Sequence, residues 1–148
     1  MQKKAIVSAC LLGERCRYDG KTKRNDKLLD ALKEYEIIPF CPEAPLFGTP
    51  REKIHVMEKE GRRSIVTDES NKDVTAELAD EIRSFMQKHP RAERIVLKSK
   101  SPSCGLGTTP ILDETKRCVA TGNGIAAEMF LQHYKTAKIS DENEFHSH

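Results

Sequence analysis

Short apolar runs along the chain predict three buried β-strands. The runs are residues 4–9, 36–40 and 93–98. Each is rich in isoleucine or valine and is bounded by polar or turn-forming residues, a pattern typical of strands that are covered on both faces. Residues 54–58 and 64–67 are compatible either with two further short strands or with an irregular loop.

Between these strands, apolar residues recur at helical spacing. The pattern is present in residues 25–35, 73–88 and 124–134. Asp73 is a suitable N-cap for the second of these helices, and Pro90 ends it. A hairpin-like stretch precedes the last helix. The order strand, helix, strand is repeated along the chain, as expected for a parallel sheet covered by helices.

These elements predict an α/β protein with a single open, mostly parallel sheet and helices on both faces. This arrangement is a three-layer sandwich of the Rossmann-like or flavodoxin-like kind. The chain has 148 residues and no linker-like segment divides it, so one domain is expected over residues 1–139. Residues 140–148 are polar and are predicted to form a flexible tail.

Composition restricts the expected partners. The net charge is +2 and the pI is near 8.3, which is too balanced for a duplex-binding protein, so nucleic acid is not expected as a partner. No apolar run approaches the length of a membrane helix, and no signal-like start is present. We therefore expect a cytoplasmic protein without a membrane partner. In that compartment its five cysteines favour metal binding or thiol chemistry over disulfides.

Three cysteines follow the three predicted strands. They are Cys10, Cys41 and Cys104. The carboxyl ends of parallel strands lie along one edge of a sheet, so these side chains can meet there. Thiolates from separate loops suit zinc, copper(I) or an iron-sulfur cluster. The alternative is that the cysteines only fill the core, as Cys118 is expected to do beside Val119 and Ala120.

Several common motifs do not fit the remaining pattern. A phosphatase loop needs arginine six residues after its cysteine, but Cys16 stands six residues after Cys10. The chain has no Cys-x-x-Cys pair, which argues against a thioredoxin-type site or a zinc ribbon. Gly122 and Gly124 match part of a dinucleotide-binding fingerprint, but they lie near the C-terminus. We interpret them as a turn into the last helix, whose N-terminus could also hold an anion.

The cysteines have chemically useful neighbours. Glu43 follows Cys41 and Pro42, and serines precede Cys104. The loop after Cys10 carries Arg17, Tyr18 and Asp19 in a long polar stretch. Each of these residues taken alone is more often a surface or turn residue. Their coincidence around three strand ends indicates a functional site.

The segments SACLLGERCRYDG, PFCPEAPLFGTPRE and KSKSPSCG strongly resemble the 2-thiouracil desulfurase family, and the resemblance covers nearly the whole chain. It implies a 4Fe-4S cluster held by Cys10, Cys41 and Cys104. It also implies an enzyme that removes sulfur from thiolated pyrimidines such as 2-thiouracil without net redox change. An acidic residue and a serine at the reaction centre match Glu43 and Ser101, with Ser103 as the competing serine.

The chemistry of such a site predicts a division of roles. With three protein ligands, one iron is open and can bind the thiocarbonyl sulfur of a small thiolated nucleobase. Glu43 would move protons as a general acid or base while water attacks the carbon. The pyrimidine would be positioned by hydrogen bonds, for which the candidates are Ser101, Ser103, Arg17, Tyr18 and Asp19.

Two other functions are compatible with the same cysteines. One is a non-catalytic module that binds zinc or senses redox state through a labile cluster. The other is transfer of sulfur from a different thiolated metabolite or a tRNA base. Cys16 discriminates between the non-catalytic module and a catalytic site. A fourth thiolate would close the site and favour a structural or sensing role, whereas three thiolates favour an open catalytic iron.

Overall fold

A computed structural model describes residues 3–13, 23–48 and 51–143 of the chain. Four strands in these ranges form an entirely parallel sheet, called here the parallel sheet. They are β1 (Lys4–Ser8), β2 (Glu36–Phe40), β5 (Arg94–Leu97) and β8 (Lys138–Asp141), in the order β2-β1-β5-β8.

The other four strands form a second sheet, called here the mixed sheet. They are β3 (Ile54–Lys59), β4 (Arg62–Thr67), β6 (Thr109–Leu112) and β7 (Cys118–Gly122), in the order β4-β3-β6-β7. β3 and β6 are parallel, and the two hairpins are antiparallel. Glu60 and Gly61 join β3 to β4 with φ of 53° and 76°. Positive φ at both central residues is what a tight type I′ hairpin turn requires.

One 3-10 helix and four α-helices connect the described strands. The 3-10 helix is Ala9–Leu12, and the α-helices are α1 (Asp26–Ala31), α2 (Glu43–Phe47), α3 (Thr75–Lys88) and α4 (Ile125–His133). At the start of α1, the side chain of Asn25 accepts a hydrogen bond from the Leu28 amide at 3.1 Å. The N-cap position of α3 is Val74, one residue after the predicted Asp73, and no side chain of the described residues caps the helix there. Asp73 instead accepts from both the amide and the hydroxyl of Thr75, the first residue of α3.

Alternate residues of the parallel sheet enter two different cores. On one face, Ile6 and Ile95 pack with Ile82 of α3 and Phe130 of α4. On the other face, β1 and β5 pack against α1 through a separate cluster made of Ala5, Val7, Val96, Leu28 and Leu32. Helices therefore cover both faces of the parallel sheet, which confirms the predicted α/β class.

The chain departs from the sequence prediction in two places. The segment around residues 54–67 and the hairpin before α4 join into a sheet of their own, where a single sheet was expected. The strand β8 reaches Asp141, and Glu142 and Asn143 bond to Ser99, so the ordered chain continues past the limit predicted at residue 139. Residues 144–148 of the predicted tail lie outside the described ranges.

In the described ranges, each helix is too short or too polar to cross a membrane.

Candidate active site

Three cysteines lie at the carboxyl ends of three adjacent strands. Cys10 is in the 3-10 helix after β1, Cys41 directly follows β2, and Cys104 is in the loop after β5. All three line one cavity of about 800 Å³. Cys10 and Cys104 are buried, and Cys41 is partly exposed. The structure thus brings together the three side chains that the strand pattern placed at one sheet edge.

The sheet order explains why a cavity forms here. From β1 the chain crosses to β2 on one side, and from β5 it crosses to β8 on the other side. Loops that leave neighbouring strands in opposite directions open a crevice at the carboxyl edge of a parallel sheet. The ends of β1 and β5 are tied together, because the Lys98 amide donates to the Ser8 hydroxyl at 2.9 Å.

Hydrogen bonds within the loop after β5 fix its shape. The Ser101 hydroxyl oxygen accepts from the amides of Ser103 at 3.3 Å and Cys104 at 3.1 Å. The Ser101 carbonyl accepts from the Gly105 amide at 2.8 Å and the Thr109 hydroxyl at 2.7 Å. A Cβ at Gly105 would lie 2.0 Å from the Thr109 hydroxyl oxygen, so this turn requires glycine.

The start of α4 is packed directly against the same loop. The Gly124 amide donates to the Gly105 carbonyl, and the Ala126 amide donates to the Ser103 carbonyl, both at 2.7 Å. A Cβ at Gly124 would come within 2.6 Å of the Ser103 carbonyl carbon. The Gly-Asn-Gly segment is therefore a close turn into a helix. One first-turn amide of α4 bonds to this loop, and is thereby not available to an anion.

A chain of polar contacts joins the loop to Glu43, the first residue of α2. The Ser103 hydroxyl donates to one carboxylate oxygen of Glu43 at 2.6 Å. The Ser101 and Ser103 hydroxyl oxygens lie 3.3 Å apart. Arg51 Nη2 lies 3.4 Å from the other oxygen of Glu43, and the two side chains are only 6% and 13% exposed. Both oxygens of this carboxylate are thus held in place.

Burial raises the pKa of the Cys104 thiol to about 12. The nearby Cys41 and Glu43 contribute to this raised pKa, while a hydrogen bond with Ser8 acts in the opposite direction. The free thiol is therefore protonated at neutral pH. A metal that coordinates it must displace this proton and supply the compensating positive charge.

The donors that line the cavity suit an iron-sulfur cluster. Three soft thiol groups converge on one space, and thiolates are the usual ligands of such clusters. Among the residues that the structure describes, no three His, Cys, Asp or Glu side chains are close enough to bind a single metal ion. The ligands of a four-iron cluster bind different irons, so they need not converge on one point.

Some residues of this site carried no signal in the sequence. Arg51 lies in the PFCPEAPLFGTPRE segment, but a loop arginine does not by itself indicate a carboxylate partner.

A second carboxylate at this site is held by polar contacts. Lys98 Nζ lies 3.1 Å from a carboxylate oxygen of Glu142, which also accepts hydrogen bonds from the amide and hydroxyl of Ser99. Burial raises the pKa of Glu142, but the bonds from Ser99 and Lys98 outweigh it and hold the pKa below its usual range.

Other predicted residues fall outside this cavity or outside the described chain. Arg17, Tyr18, Asp19 and Cys16 lie in residues 14–22, which the structure does not describe. Cys118 was expected in the core, and that expectation is wrong. It lies on β7, the edge strand of the mixed sheet, and its side chain is exposed. Four of the five residues of β7 are exposed, so this edge strand leaves the Cys118 side chain open to solvent.

Comparisons with known proteins cover nearly the whole chain. The sequence profile of 2-thiouracil desulfurase matches residues 5–142. The uncharacterized protein YbbK of Bacillus subtilis (strain 168) is 30% identical over 149 aligned positions, which cover 94% of this chain and 95% of YbbK. A solved structure, the 4Fe-4S-dependent thiouracil desulfidase TudS, is 31% identical with a TM-score of 0.71. That match covers 97% of this chain and 93% of the TudS chain.

Proposed function

The chain belongs to the 2-thiouracil desulfurase family, and from this we propose that it is an enzyme that removes sulfur from thiolated pyrimidines such as 2-thiouracil. The proposed cofactor is a 4Fe-4S cluster, as in the name of the similar TudS. The observation that carries the proposal is that Cys10, Cys41, Cys104 and Glu43 all line the same cavity.

The three cysteines would hold the cluster. When bound, it would supply a Lewis-acidic iron without a protein ligand, suited to the soft sulfur of a thiocarbonyl group. The chain's own residues would position the pyrimidine and move protons. Loss of sulfur to water turns a thiocarbonyl into a carbonyl, so the water oxygen must give up its protons during the reaction.

Glu43 is the proposed first acceptor of a proton. An ionised carboxylate only accepts hydrogen bonds, so Ser103 must donate its single hydroxyl hydrogen to Glu43. Ser103 can then only accept in its contact with Ser101, which makes Ser101 the donor. This order directs a proton from Ser101 through Ser103 to Glu43.

The exposure of the two serines divides their roles in this proposal. Both serines line the cavity, but Ser103 is only 1% exposed and its hydroxyl is bonded to Glu43, so we assign it to the relay. Ser101 is partly exposed and lines the cavity, so it is the serine that would face the pyrimidine or the attacking water. Arg51 holds the second oxygen of Glu43 and keeps the carboxylate turned toward Ser103.

The test is anaerobic reconstitution followed by metal and sulfide analysis. We expect a brown protein with about four irons per chain that releases sulfide and uracil from 2-thiouracil. Glu43→Gln is expected to retain the iron and lose turnover, because its amide cannot accept a proton. A colourless protein that binds one zinc per chain and is inactive would support the zinc-binding alternative and refute the proposal.

A further inference from the structure

A histidine and an aspartate form a second polar pair beside the same cavity. His55 of β3 places Nδ1 2.6 Å from a carboxylate oxygen of Asp68, and its side chain is 11% exposed. His55 lines the cavity together with Cys41, Glu43 and Ser101. The roles proposed for the cysteines, the serines and Glu43 do not involve the His55-Asp68 pair.

The pair is held by the backbone of the β3-β4 hairpin. Asp68 directly follows β4, and its amide donates to the Lys53 carbonyl at 2.9 Å. Lys116 donates to the Asp68 carbonyl at 2.8 Å. Asp68 therefore keeps its place beside His55 through main-chain bonds that are independent of the imidazole.

This geometry determines which ring nitrogen carries hydrogen. An ionised Asp68 can only accept, so Nδ1 of His55 must be the donor. In the neutral ring, Nε2 then carries a lone pair. The contact with Asp68 engages Nδ1 and leaves Nε2 outside that hydrogen bond. A carboxylate that fixes one nitrogen while the other accepts a proton is the arrangement of a general base.

Desulfuration needs more than one proton transfer. The water oxygen forms a bond to the thiocarbonyl carbon and gives one proton to Glu43. The carbon-sulfur bond then breaks with its electron pair on sulfur, and the proton from Glu43 converts that sulfur to hydrosulfide. The second proton of the water must leave the oxygen as the carbonyl forms. Glu43 can hold only one proton at a time. A second acceptor allows the second proton to leave the oxygen before Glu43 has lost the first one.

We propose that His55 is this second proton acceptor, and that Asp68 is a positioning residue that fixes its tautomer. The inference rests on the proposed desulfurase function. His55 would receive the second water proton through Nε2 and release it to solvent after the product leaves. The net products are the carbonyl compound, hydrosulfide and one proton, which balances the thiocarbonyl and water consumed.

The test compares His55→Gln and Asp68→Asn with His133→Gln in cluster-loaded protein. His133 is an exposed histidine at the end of α4, outside the cavity, so it is the matched control. We expect His55→Gln to lower kcat for 2-thiouracil about 100-fold with KM changed less than threefold, as for loss of a general base. Asp68→Asn should lower kcat about tenfold, and iron content should stay unchanged in all three.

A second readout does not depend on turnover. Protein labelled with ¹⁵N at histidine is titrated with uracil, the product, and the imidazole nitrogens are followed by NMR. The Nε2 signal of His55 should shift, while the His133 signals should not. A wild-type kcat in His55→Gln, or an unmoved Nε2 signal, overturns the inference alone. Wild-type protein that loads four irons but releases no sulfide overturns the proposed function, and the inference with it.

Discussion

At the scale of single residues, two serines two positions apart lie in different surroundings. Ser103 is buried and its hydroxyl is hydrogen-bonded to Glu43. Ser101 is partly exposed, and its hydroxyl oxygen accepts hydrogen bonds from two backbone amides of the loop. Loss of either hydroxyl therefore has a different physical consequence. Removal of the Ser101 hydroxyl weakens the loop that carries Cys104, because two backbone amides lose their acceptor. Removal of the Ser103 hydroxyl breaks the hydrogen-bonded link between Ser101 and Glu43.

Ser103→Ala should lower the kcat of sulfide release at least tenfold with iron content unchanged, because the relay to Glu43 is lost. Ser140→Ala is the matched control. Ser140 is also buried, but it lies on β8 outside the cavity lining, and its hydroxyl has no partner among the described residues. That variant should retain full activity. Equal kcat values for Ser103→Ala and wild type would exclude the relay.

Glu142→Gln tests the contact between the end of β8 and the loop after β5. The pKa of Glu142 is below its ordinary 4.5, so the ionised form stabilises the fold at neutral pH. This contribution is present above pH 4.5 and is lost as pH falls through the lowered pKa. The variant should therefore be less stable by about 1 to 3 kcal/mol at pH 7, and the difference should close in acid.

Chemical denaturation at several pH values measures this difference. Glu36→Gln is the control, since Glu36 is 55% exposed and its pair with Lys4 spans 3.9 Å. Exposed pairs contribute little, so this variant should match wild type at every pH. A difference for Glu142→Gln that is the same at pH 7 and pH 3 would contradict the assignment.

At the scale of elements, the start of α4 buttresses the cysteine loop. Gly124 allows the approach, because a Cβ there would lie 2.6 to 2.8 Å from backbone atoms of Ser103 and Cys104. The helix cannot move away without losing the Ala126-Ser103 and Gly124-Gly105 hydrogen bonds. The position of Cys104 thus depends on contacts with a helix that begins only at Ile125.

Gly124→Ala should destabilise the fold by roughly 1 to 3 kcal/mol through overpacking and reduce the iron bound after reconstitution. Gly107→Ala in the same region is the control. Its φ of +72° strains an alanine, but a Cβ there would meet no atom within 4 Å. It should lose some stability and bind a full complement of iron. Iron content that falls equally in both variants would show that general instability, not the α4 contact, governs cluster retention.

At the scale of the whole molecule, the site is assembled from distant parts of the chain. The parallel sheet supplies the cysteines at its carboxyl edge, while the mixed sheet contributes His55 and Thr109 to the same cavity. The contact between Glu43 and Ser103 joins residues 60 positions apart. The complete site can therefore exist only after both sheets have formed.

Cysteine-to-serine variants test this assembly. Replacement of Cys10, Cys41 or Cys104 should abolish most of the bound iron, because each thiolate would hold one corner of the cluster. Cys118→Ser is the control and should bind iron as wild type does, since its side chain is exposed on β7. Iron analysis and visible absorption measure the outcome. Loss of the cluster in Cys16→Ser would instead indicate a fourth ligand and a closed, non-catalytic site.

The predictability of each element follows from its burial. β1 and β5 are buried on both faces, so their sequences are continuous apolar runs that reveal them. β7 is exposed along its length and β8 buries Ser140 and Asp141, so neither has a clear hydrophobic pattern. The five-residue helix α2 is too short to show a helical period.

The sequence by itself determined the strands that end in cysteines, the helices that cover them and which cysteines could act as the proposed thiol donors. These follow from local periodicity and from residue type, which need no knowledge of distant neighbours. Only the tertiary structure decided that Ser103 bonds to Glu43, that Arg51 holds the other carboxylate oxygen, and that His55 shares their cavity. Such polar pairs form between residues far apart in the chain, and their geometry depends on how the two sheets pack, which no periodic pattern encodes.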